Sequence, residues 1–287
     1  MLINHNMYSL GIYKSYARNL QNNSDALGKI SSGLAVRNAK DNPNKLVKAE
    51  SLRMSVLGRN AASSNIQNTT SMLQTFDGSL QEYNNNVKRL KTLAVQSAND
   101  TYTDEERKSI QEEVDGILAS LKDLGERTEF NGITLSKEAS AGTDTSVKPV
   151  KTGKITSSIG DMAGESIDIP RFDISNEMLF GGNGTLDMTS RDSASNTIEK
   201  IESADNYINQ IRSTYGALQS RLDGTDESLN GISQTMTEAQ SSIQDADIGL
   251  EMMNYCRDKI LIDSGIGLMA QSNKIPMDAL NVLSNLR

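Results

Sequence analysis

The sequence predicts a mainly α-helical protein: a long antiparallel coiled-coil rod, with terminal helices paired at one end and a small antiparallel β-hairpin insert at the other. Two apolar stripes, at residues 66–97 and 201–243, predict the long helices. Residues 130–192 are rich in Gly, Ser and Thr and contain short alternating stretches, which are typical of hairpins. The chain has 4 Phe and no Trp, which favours a slender bundle over a globule with a deep core.

Both stripes repeat at alternating steps of three and four residues, so each places its apolar residues on one helix face. The register of the second stripe persists for roughly six heptads, more than the three to four that indicate a coiled coil. The first stripe consists of Ile66, Thr69, Leu73, Phe76, Leu80, Tyr83, Val87, Leu90, Ala94 and Ser97. The second consists of Ile201, Ala204, Ile208, Ile211, Tyr215, Leu218, Leu222, Thr225, Leu229, Ile232, Met236, Ala239 and Ile243.

The N-terminal stretch, residues 3–30, is predicted to be a weakly apolar helix that needs a partner. Asn and Gln dilute its three-four register, and such a helix is not stable by itself. Ser31-Ser32-Gly33 should end it, because Gly after the last turn and a proline soon afterwards, here Pro43, are stop signals. A long helix is then predicted for residues 45–99.

The next helix is predicted for residues 103–128. It begins with a capping box, in which the Thr103 hydroxyl accepts from a helical N–H and Glu106 reaches back to the Thr103 backbone. Two alternating segments, 154–156 and 165–169, predict antiparallel strands. From about Asp192 the chain returns to helix, through the second stripe and into a final C-terminal helix.

These elements divide the chain into five segments, and both termini are expected at the same end. The segments are an N-terminal helix with its connector, the N-terminal rod helices, the insert, a C-terminal rod helix and a C-terminal helix. Their predicted bounds are 1–44, 45–129, 130–192, 193–243 and 244–287.

Composition and charge exclude several kinds of partner. The net charge of −8, the pI of about 4.9 and the scattered Lys and Arg residues argue against nucleic acid and anionic membrane surfaces. No apolar run approaches the length of a membrane span. The N-terminal residues lack the basic start and long apolar centre of a cleaved secretory signal.

The sequence assembles no catalytic, cofactor or metal site, so we expect no enzyme. His5 is the only histidine and Cys256 the only cysteine, which rules out the His-Glu-x-x-His and Cys-x-x-Cys motifs. A Ser-His-Asp set would depend on His5, which lies in an Asn-rich terminus where a surface or interface residue is expected. The glycine cluster at 181–184 lacks the Lys-Ser/Thr of a phosphate loop. Cys256 lies in an apolar run, and we expect it to be a small buried side chain.

Short motifs, in order at both ends of the chain, resemble bacterial flagellin; the middle of the chain has no counterpart. Each motif is weak alone, but the ordered set is specific. The motifs are Ile30-Ser31-Ser32-Gly33-Leu34, Leu93-Ala94-Val95-Gln96-Ser97-Ala98-Asn99, Thr128-Glu129-Phe130-Asn131-Gly132, Tyr215-Gly216-Ala217-Leu218-Gln219-Ser220-Arg221-Leu222, Ile243-Gln244-Asp245-Ala246-Asp247 and Ala270-Gln271-Ser272-Asn273. One departure is Asp41-Asn42-Pro43-Asn44-Lys45-Leu46, where the family usually has Asp-Asp-Ala-Ala-Gly-Leu, so a connector of different shape is expected.

The resemblance implies a structural subunit that polymerises into the helical flagellar filament for motility. The terminal helices would form a hydrophobic inner tube with neighbouring copies, and we expect them to be largely disordered in the free subunit. The residues expected to make these contacts are Ile3, Leu10, Leu20, Leu27, Ile262, Ile266, Met269, Leu280 and Leu283.

The resemblance also implies partners and a location. The partners would be further copies of this chain, hook-junction and cap proteins, and a cytoplasmic export chaperone that acts on the C-terminal segment. Export would proceed without a cleaved signal peptide, to the filament outside the cell. Arg89, Leu93 and Glu113 resemble a surface recognised by the vertebrate toll-like receptor for flagellin; alternatively, the two charged residues are simply solvated or pair between subunits.

Two other functions remain open from the sequence. A hook–filament junction protein would share the terminal helices, although the motifs at 93–99 and 128–132 favour flagellin. A coiled-coil signalling protein would share the long stripes, but the β insert argues against it.

Overall fold

The computed structural model describes residues 6–134, 151–181 and 184–285, which fall into two compact units. Unit 1 contains the residues up to Val56 and those from Gln234 onward, and unit 2 is Leu57–Ser233. The helices and strands, in chain order, are α1 (Met7–Ser32), α2 (Pro43–Ser97), α3 (Asp104–Arg127), β1 (Glu129–Phe130), β2 (Ile133–Thr134), β3 (Lys151–Ser158), β4 (Ser166–Phe172), α4 (Asn176–Phe180), α5 (Arg191–Gln244) and α6 (Ile248–Asn285).

In unit 2, α2 and α5 run antiparallel and are joined by polar contacts at the edge of their seam. Arg212 Nε donates to Asp77 Oδ1 at 2.8 Å, and Asn84 Nδ2 donates to Asp205 Oδ1 at 3.2 Å. Residue numbers therefore fall on α5 as they rise on α2, which shows that the two helices are antiparallel. The prediction of a mainly helical protein with long antiparallel helices is confirmed.

The third long helix of unit 2, α3, runs antiparallel to α2. The Tyr83 hydroxyl donates to the Leu121 carbonyl at 2.7 Å, and further along α2 the Arg89 guanidinium pairs with Glu113. Tyr83 is fully buried, and this burial raises the pKa of its hydroxyl well above the usual value.

The two predicted stripes form the core of unit 2, but the second leaves the core before its predicted end. The first is buried from Ile66 to Ala94, and the second is largely buried from Ile201 to Leu229. After Leu229 the exposure rises, and Ile232 is 41% exposed. Within the chain, the second stripe is therefore buried only as far as Leu229.

In the described residues of the predicted insert there are two antiparallel hairpins and one short helix that was not predicted. β1 and β2 are joined by Asn131-Gly132, whose φ angles of 50° and 77° suit the tight hairpin turn that Asn-Gly favours. β3 pairs with β4, with Ile155 opposite Ile169. Ile167, Ile169 and Phe172 on β4 are buried in the core of unit 2.

Local helix signals explain the ends of the helices. Gly33 ends α1 with φ 73°, and the capping box of Thr103 and Glu106 begins α3 as predicted. The Asn42 side chain accepts from the Lys45 N–H at 3.1 Å, so Asn42 caps α2. Pro43 is the first residue of α2, where its missing N–H is not needed, and the helix begins two residues earlier than predicted.

In unit 1, the connector after α1 pairs with the connector before α6. Leu34 and Asp245 form an isolated antiparallel bridge. The Ala35 N–H donates to the Gln244 carbonyl at 2.8 Å, and the Ala246 N–H donates to the Gly33 carbonyl at 2.9 Å. These bonds bring α1 and α6 together, as the expectation of paired terminal helices requires.

Candidate assembly interface

Large exposed apolar side chains are concentrated in unit 1. Among the described residues of unit 1, only Ala26, Val36 and Ala49 are buried and apolar. A unit with so small a core gains little hydrophobic stabilisation from its own chain. Its exposed large apolar residues are Met7, Tyr8, Leu10, Tyr13, Leu20, Leu27, Val47, Met54, Ile248, Leu250, Met252, Met253, Ile260, Leu261, Ile266, Leu268, Ile275 and Met277.

Polar contacts join α1 to α6 at three places along their length. Two asparagine side chains of α1 and its N-cap donate to backbone carbonyls of α6, and one ion pair lies near the C-terminal end of α1. The pairs are Asn6 with Ser272 (3.0 Å), Asn23 with Tyr255 (3.0 Å) and Lys29 with Glu251 (2.9 Å). As residue numbers rise on α1 they fall on α6, so the two helices are antiparallel.

The apolar stripe of α1 does not pair this helix with α6. Leu10, Leu20 and Leu27 are 48%, 49% and 51% exposed. The less exposed side chains of the helix and its N-cap lie on a different face, which is largely polar. That face consists of Asn6, Ser9, Ile12, Tyr16, Asn19, Asn23, Ala26 and Lys29.

On α6 the less exposed residues also recur at steps of three and four, and several of them are small or polar. They are Glu251, Tyr255, Asp258, Ile262, Gly265, Met269, Ser272 and Pro276. Of the residues expected to make subunit contacts, Ile262 and Met269 are half-buried on this face and Ile266 is exposed. Ile3 lies outside the described residues, as do the side chains of Leu280 and Leu283.

A largely apolar groove of about 450 Å³ runs along α1 and α6. The α1 side of the groove includes Tyr8, Ile12 and Tyr16, and the α6 side includes Leu261 and Leu268. An apolar side chain from another molecule would suit this lining.

Cys256 is exposed on α6, so the expectation of a buried side chain is wrong. The preceding residue, Tyr255, lies on the side of α6 that contacts α1, where its main-chain carbonyl accepts a hydrogen bond from Asn23. One residue turns a helix by about 100°, which places Cys256 outside the contact.

Arg89 and Glu113 form an exposed ion pair on unit 2. Both Nε and Nη2 of Arg89 donate to Glu113 Oε1, at 2.8 and 2.6 Å. Both side chains are about half exposed, so a partner could reach them. Leu93 is only 1% exposed, and its side chain supports the surface from within the core.

Within the part of the chain that the structure describes, no group of three or more His, Cys, Asp or Glu side chains is arranged to hold a metal ion. The same residues include no helix with the length and hydropathy needed to cross a membrane.

Sequence reasoning missed the polar residues that join α1 to α6. The predicted contact residues are apolar, and those described on α1 (Leu10, Leu20 and Leu27) lie on the exposed face. The sequence did contain a pattern that could have identified this contact face. Asn6, Asn19 and Asn23 lie on one helix face together with Ile12 and Tyr16.

Long helices with a buried seam, joined to terminal helices with exposed apolar faces, define a structural protein that assembles with other molecules. The bacterial flagellin N-terminal helical region matches residues 3–141, and the bacterial flagellin C-terminal helical region matches residues 198–283. This chain belongs to the bacterial flagellin family.

Relatives match over almost the whole chain. Flagellin of Bacillus subtilis and the flagellar filament 30.7 kDa core protein of Treponema maltophilum are each 30% identical to it, over 99% of this chain and 100% of the relative. The crystal structure of Bacillus cereus flagellin is 27% identical, covers 58% of this chain and 88% of its own, and superposes with a TM-score of 0.48. As a flagellin, the chain is a structural subunit of the flagellar filament, and the family is structural rather than enzymatic.

Proposed function

We propose that the subunits polymerise through the exposed apolar faces of α1 and α6. The exposed apolar side chains of unit 1, beside its very small buried core, carry this proposal. Neighbouring copies that cover these faces remove apolar surface from water, at about 25 cal/mol per Å². Of the predicted contact residues, Leu10, Leu20, Leu27 and Ile266 lie on these exposed faces. Ile262 and Met269 lie half-buried on the side of α6 that meets α1, so their contacts with a neighbouring copy would be smaller. Ile3, Leu280 and Leu283 complete the proposed set.

The proposed contacts join different surfaces of neighbouring subunits. Contacts of this heterologous kind build a ring if the rotation closes and an open helical filament if it does not. Segments 1–44 and 244–287 supply the contacts, and segments 45–129, 130–192 and 193–243 form the remainder of the subunit. In the free subunit the terminal segments are largely disordered and become ordered on assembly, because weakly apolar helices need packing.

Truncation and point variants test the proposal. Chains that lack residues 1–32 or 248–287 should stay in the supernatant when salt-induced assembly is followed by ultracentrifugation. Circular dichroism should show that the helices of unit 2 are retained. Pelleting of both truncated chains to the extent of the full-length chain would refute the proposal.

A triple variant, Leu10→Ser with Leu20→Ser and Leu27→Ser, is the sharper test. Each leucine is about half exposed, so its remaining burial in the filament contributes about 1 kcal/mol. Together the three changes should raise the critical concentration for assembly roughly 100-fold. The matched control is the double variant Val95→Ser with Met162→Ser, which changes exposed apolar residues of unit 2 and should leave assembly unaltered.

The same terminal faces are proposed to bind hook-junction and cap proteins, which meet the subunits at the two ends of the filament. A cytoplasmic export chaperone would cover the C-terminal segment before export. Deletion of 248–287 should abolish copurification with this chaperone, while deletion of 1–32 should not. Retained binding after the C-terminal deletion would exclude that segment as the chaperone site.

Export is proposed to occur without a cleaved signal peptide. The N-terminal residues have no long apolar centre that a signal peptidase substrate needs. The filament subunit should therefore have the mass of the translated chain, apart from removal of an initiator methionine. A mature N-terminus some twenty residues further on would contradict this proposal.

Recognition by a vertebrate toll-like receptor is proposed to involve Arg89 and Glu113, with Leu93 supporting the surface from inside. The exposure of the ion pair and its position on unit 2 support this role. The alternative, that the pair is only a solvated surface feature, predicts that loss of the Arg89 side chain leaves receptor activation unchanged.

A further inference from the structure

Methionine recurs among the exposed apolar residues of the two terminal helices. Four methionines of α1 and α6 are each 46–71% exposed: Met7, Met252, Met253 and Met277. In the core of unit 2, by contrast, Met72 and Met188 are buried. Solvent and small solutes therefore reach the thioethers of the terminal helices, whereas the core of unit 2 shields its own.

The four exposed methionines lie on the faces that are proposed to meet neighbouring subunits. Met7 lines the apolar groove that runs along α1 and α6. On a regular α-helix, Met252 and Met277 fall within about 40° of Ile266, an exposed residue of the proposed contact set. Met253 follows directly and is also exposed. Neighbouring copies that cover these faces would cover the four sulfur atoms as well.

Oxidation changes the polarity of a thioether at little cost in volume. A peroxide transfers one oxygen atom to the methionine sulfur: the O–O bond breaks, an S=O bond forms, the sulfur loses two electrons and water is released. The product is a polar sulfoxide, and this change disrupts contacts that depend on methionine. Methionine sulfoxide reductases restore the thioether, so the modification is reversible.

We propose that Met7, Met252, Met253 and Met277 form a redox-sensitive modification site, at which oxidation by a peroxide prevents the free subunit from assembling. This role rests on the proposed polymerisation through α1 and α6. A sulfoxide must give up its hydration to enter an apolar contact, and burial of a polar group without a hydrogen bond is unfavourable. Because the buried thioethers of unit 2 are shielded, an oxidised chain keeps the fold of unit 2 and regains assembly on reduction.

Assembly in turn protects the same four methionines. In a filament the neighbouring copies exclude water and peroxide from these faces, so oxidation acts on the free subunit. Met162 provides an internal reference, because it is as exposed as Met253 but lies on unit 2, away from the proposed faces.

The first measurement compares oxidation of free chains and of preformed filaments. Both samples of the full-length protein are treated with hydrogen peroxide, and sulfoxide is located by peptide mass spectrometry. Dithiothreitol is added afterwards, because Cys256 is exposed and this thiol reverses its sulfenic acid and disulfide products but leaves methionine sulfoxide intact. In free chains the four sites should be oxidised as readily as Met162, and in filaments severalfold less.

The second measurement follows assembly of the treated free chains by ultracentrifugation. Oxidation should raise the critical concentration roughly tenfold or more, and incubation with methionine sulfoxide reductases should restore the untreated value. Near-ultraviolet circular dichroism of the buried tyrosines of unit 2 should stay the same throughout.

Substitutions separate these four sites from the other thioethers of the chain. The variant Met7→Leu with Met252→Leu, Met253→Leu and Met277→Leu keeps apolar side chains that peroxide does not modify, so its critical concentration should be equal before and after treatment. Glutamine at the same four positions introduces a polar side chain of similar length and should impair assembly without an oxidant. Met162→Gln is the matched control and should assemble like the native chain.

Three results would overturn the inference. They are full pelleting of chains that carry sulfoxide at all four sites, a leucine variant as sensitive to peroxide as the native chain, and oxidation of Met162 in free chains that spares the four sites. Failure of the untreated native chain to pellet would refute polymerisation itself, and the inference with it. That outcome is distinguishable because it appears without any oxidant.

Discussion

The buried guanidinium of Arg107 donates to the main-chain carbonyl of Ser97, the last residue of α2. A second bond reaches the Asn99 carbonyl at 3.0 Å, and Arg107 is only 6% exposed. Carbonyls at the end of a helix lack partners within the helix, and the helix dipole favours a cation there. Arg107 on α3 thus supplies hydrogen-bond donors for the carbonyls at the C-terminal end of α2. The same bonds stabilise the turn between the two helices.

Replacement of Arg107 by Met should destabilise unit 2. The variant keeps a long side chain but leaves buried carbonyls without a donor, so the free energy of unfolding should fall by about 2–3 kcal/mol. Urea unfolding followed by near-ultraviolet circular dichroism of the tyrosines measures the change. The neighbouring Lys108 is exposed, so Lys108→Met is the control. Equal stability of the two variants would show that the capping bonds contribute nothing measurable.

Hydrogen exchange should differ between the free subunit and the filament in the terminal helices. In the free subunit, the amides of α1 and α6 should exchange fast because these helices bury little apolar surface. In the filament the same amides should be protected, while those of α2 near Leu80 and of α5 near Ile208 should be slow in both states. Equal protection of α1 and α5 in the free subunit would contradict the proposed disorder of the terminal segments.

The core of unit 2 could be predicted from the sequence because it follows one physical rule. Residues such as Leu73 and Ile208 recur with the helical period, and within unit 2 that period does correspond to burial. The capping box of Thr103 could also be predicted from the sequence, because it depends on two residues only three positions apart. The short helix α4 was missed because its five residues carry too little periodic signal.

The assembly interface could be predicted only in part. Apolar periodicity marks a face that becomes buried somewhere, but it does not say whether the covering helix belongs to the same chain. For Leu20 and Leu27 the face is exposed in the subunit, whereas Asn23 makes the contact within the chain. Hydrogen bonds from asparagine to a main-chain carbonyl leave no pattern in the partner sequence, so this pairing required the structure.

Arg89→Ala should weaken activation of a reporter cell that expresses the vertebrate toll-like receptor for flagellin. An arginine at the centre of a contact typically contributes more than 1.4 kcal/mol, so the half-maximal concentration should rise at least tenfold. Stability should hardly change, because an exposed ion pair contributes only about 0–1 kcal/mol. Lys91→Ala is the matched control, since Lys91 forms a similarly exposed pair with Glu202 at 2.9 Å. Equal responses of the two variants would favour the reading of Arg89 and Glu113 as solvated charges.

The capping box at the start of α3 should make stability depend on pH in the acid range. The Thr103 main-chain N–H donates to Glu106 at 2.8 Å and its hydroxyl donates at 3.0 Å, and these bonds lower the pKa of the Glu106 carboxyl. A folded-state pKa below the unfolded value means that the Glu106 carboxylate stabilises the fold at pH values above its ordinary pKa. This contribution is lost as the pH falls through the lowered value.

The free energy of unfolding in urea should therefore be higher for the native chain than for Glu106→Gln at pH 7, and this difference should shrink toward pH 3. Glu105 lies in the same turn without a hydrogen bond from its side chain among the described residues, so Glu105→Gln should show a weaker trend. Parallel pH profiles for the two variants would show that the hydrogen bonds to Glu106 do not contribute to acid sensitivity.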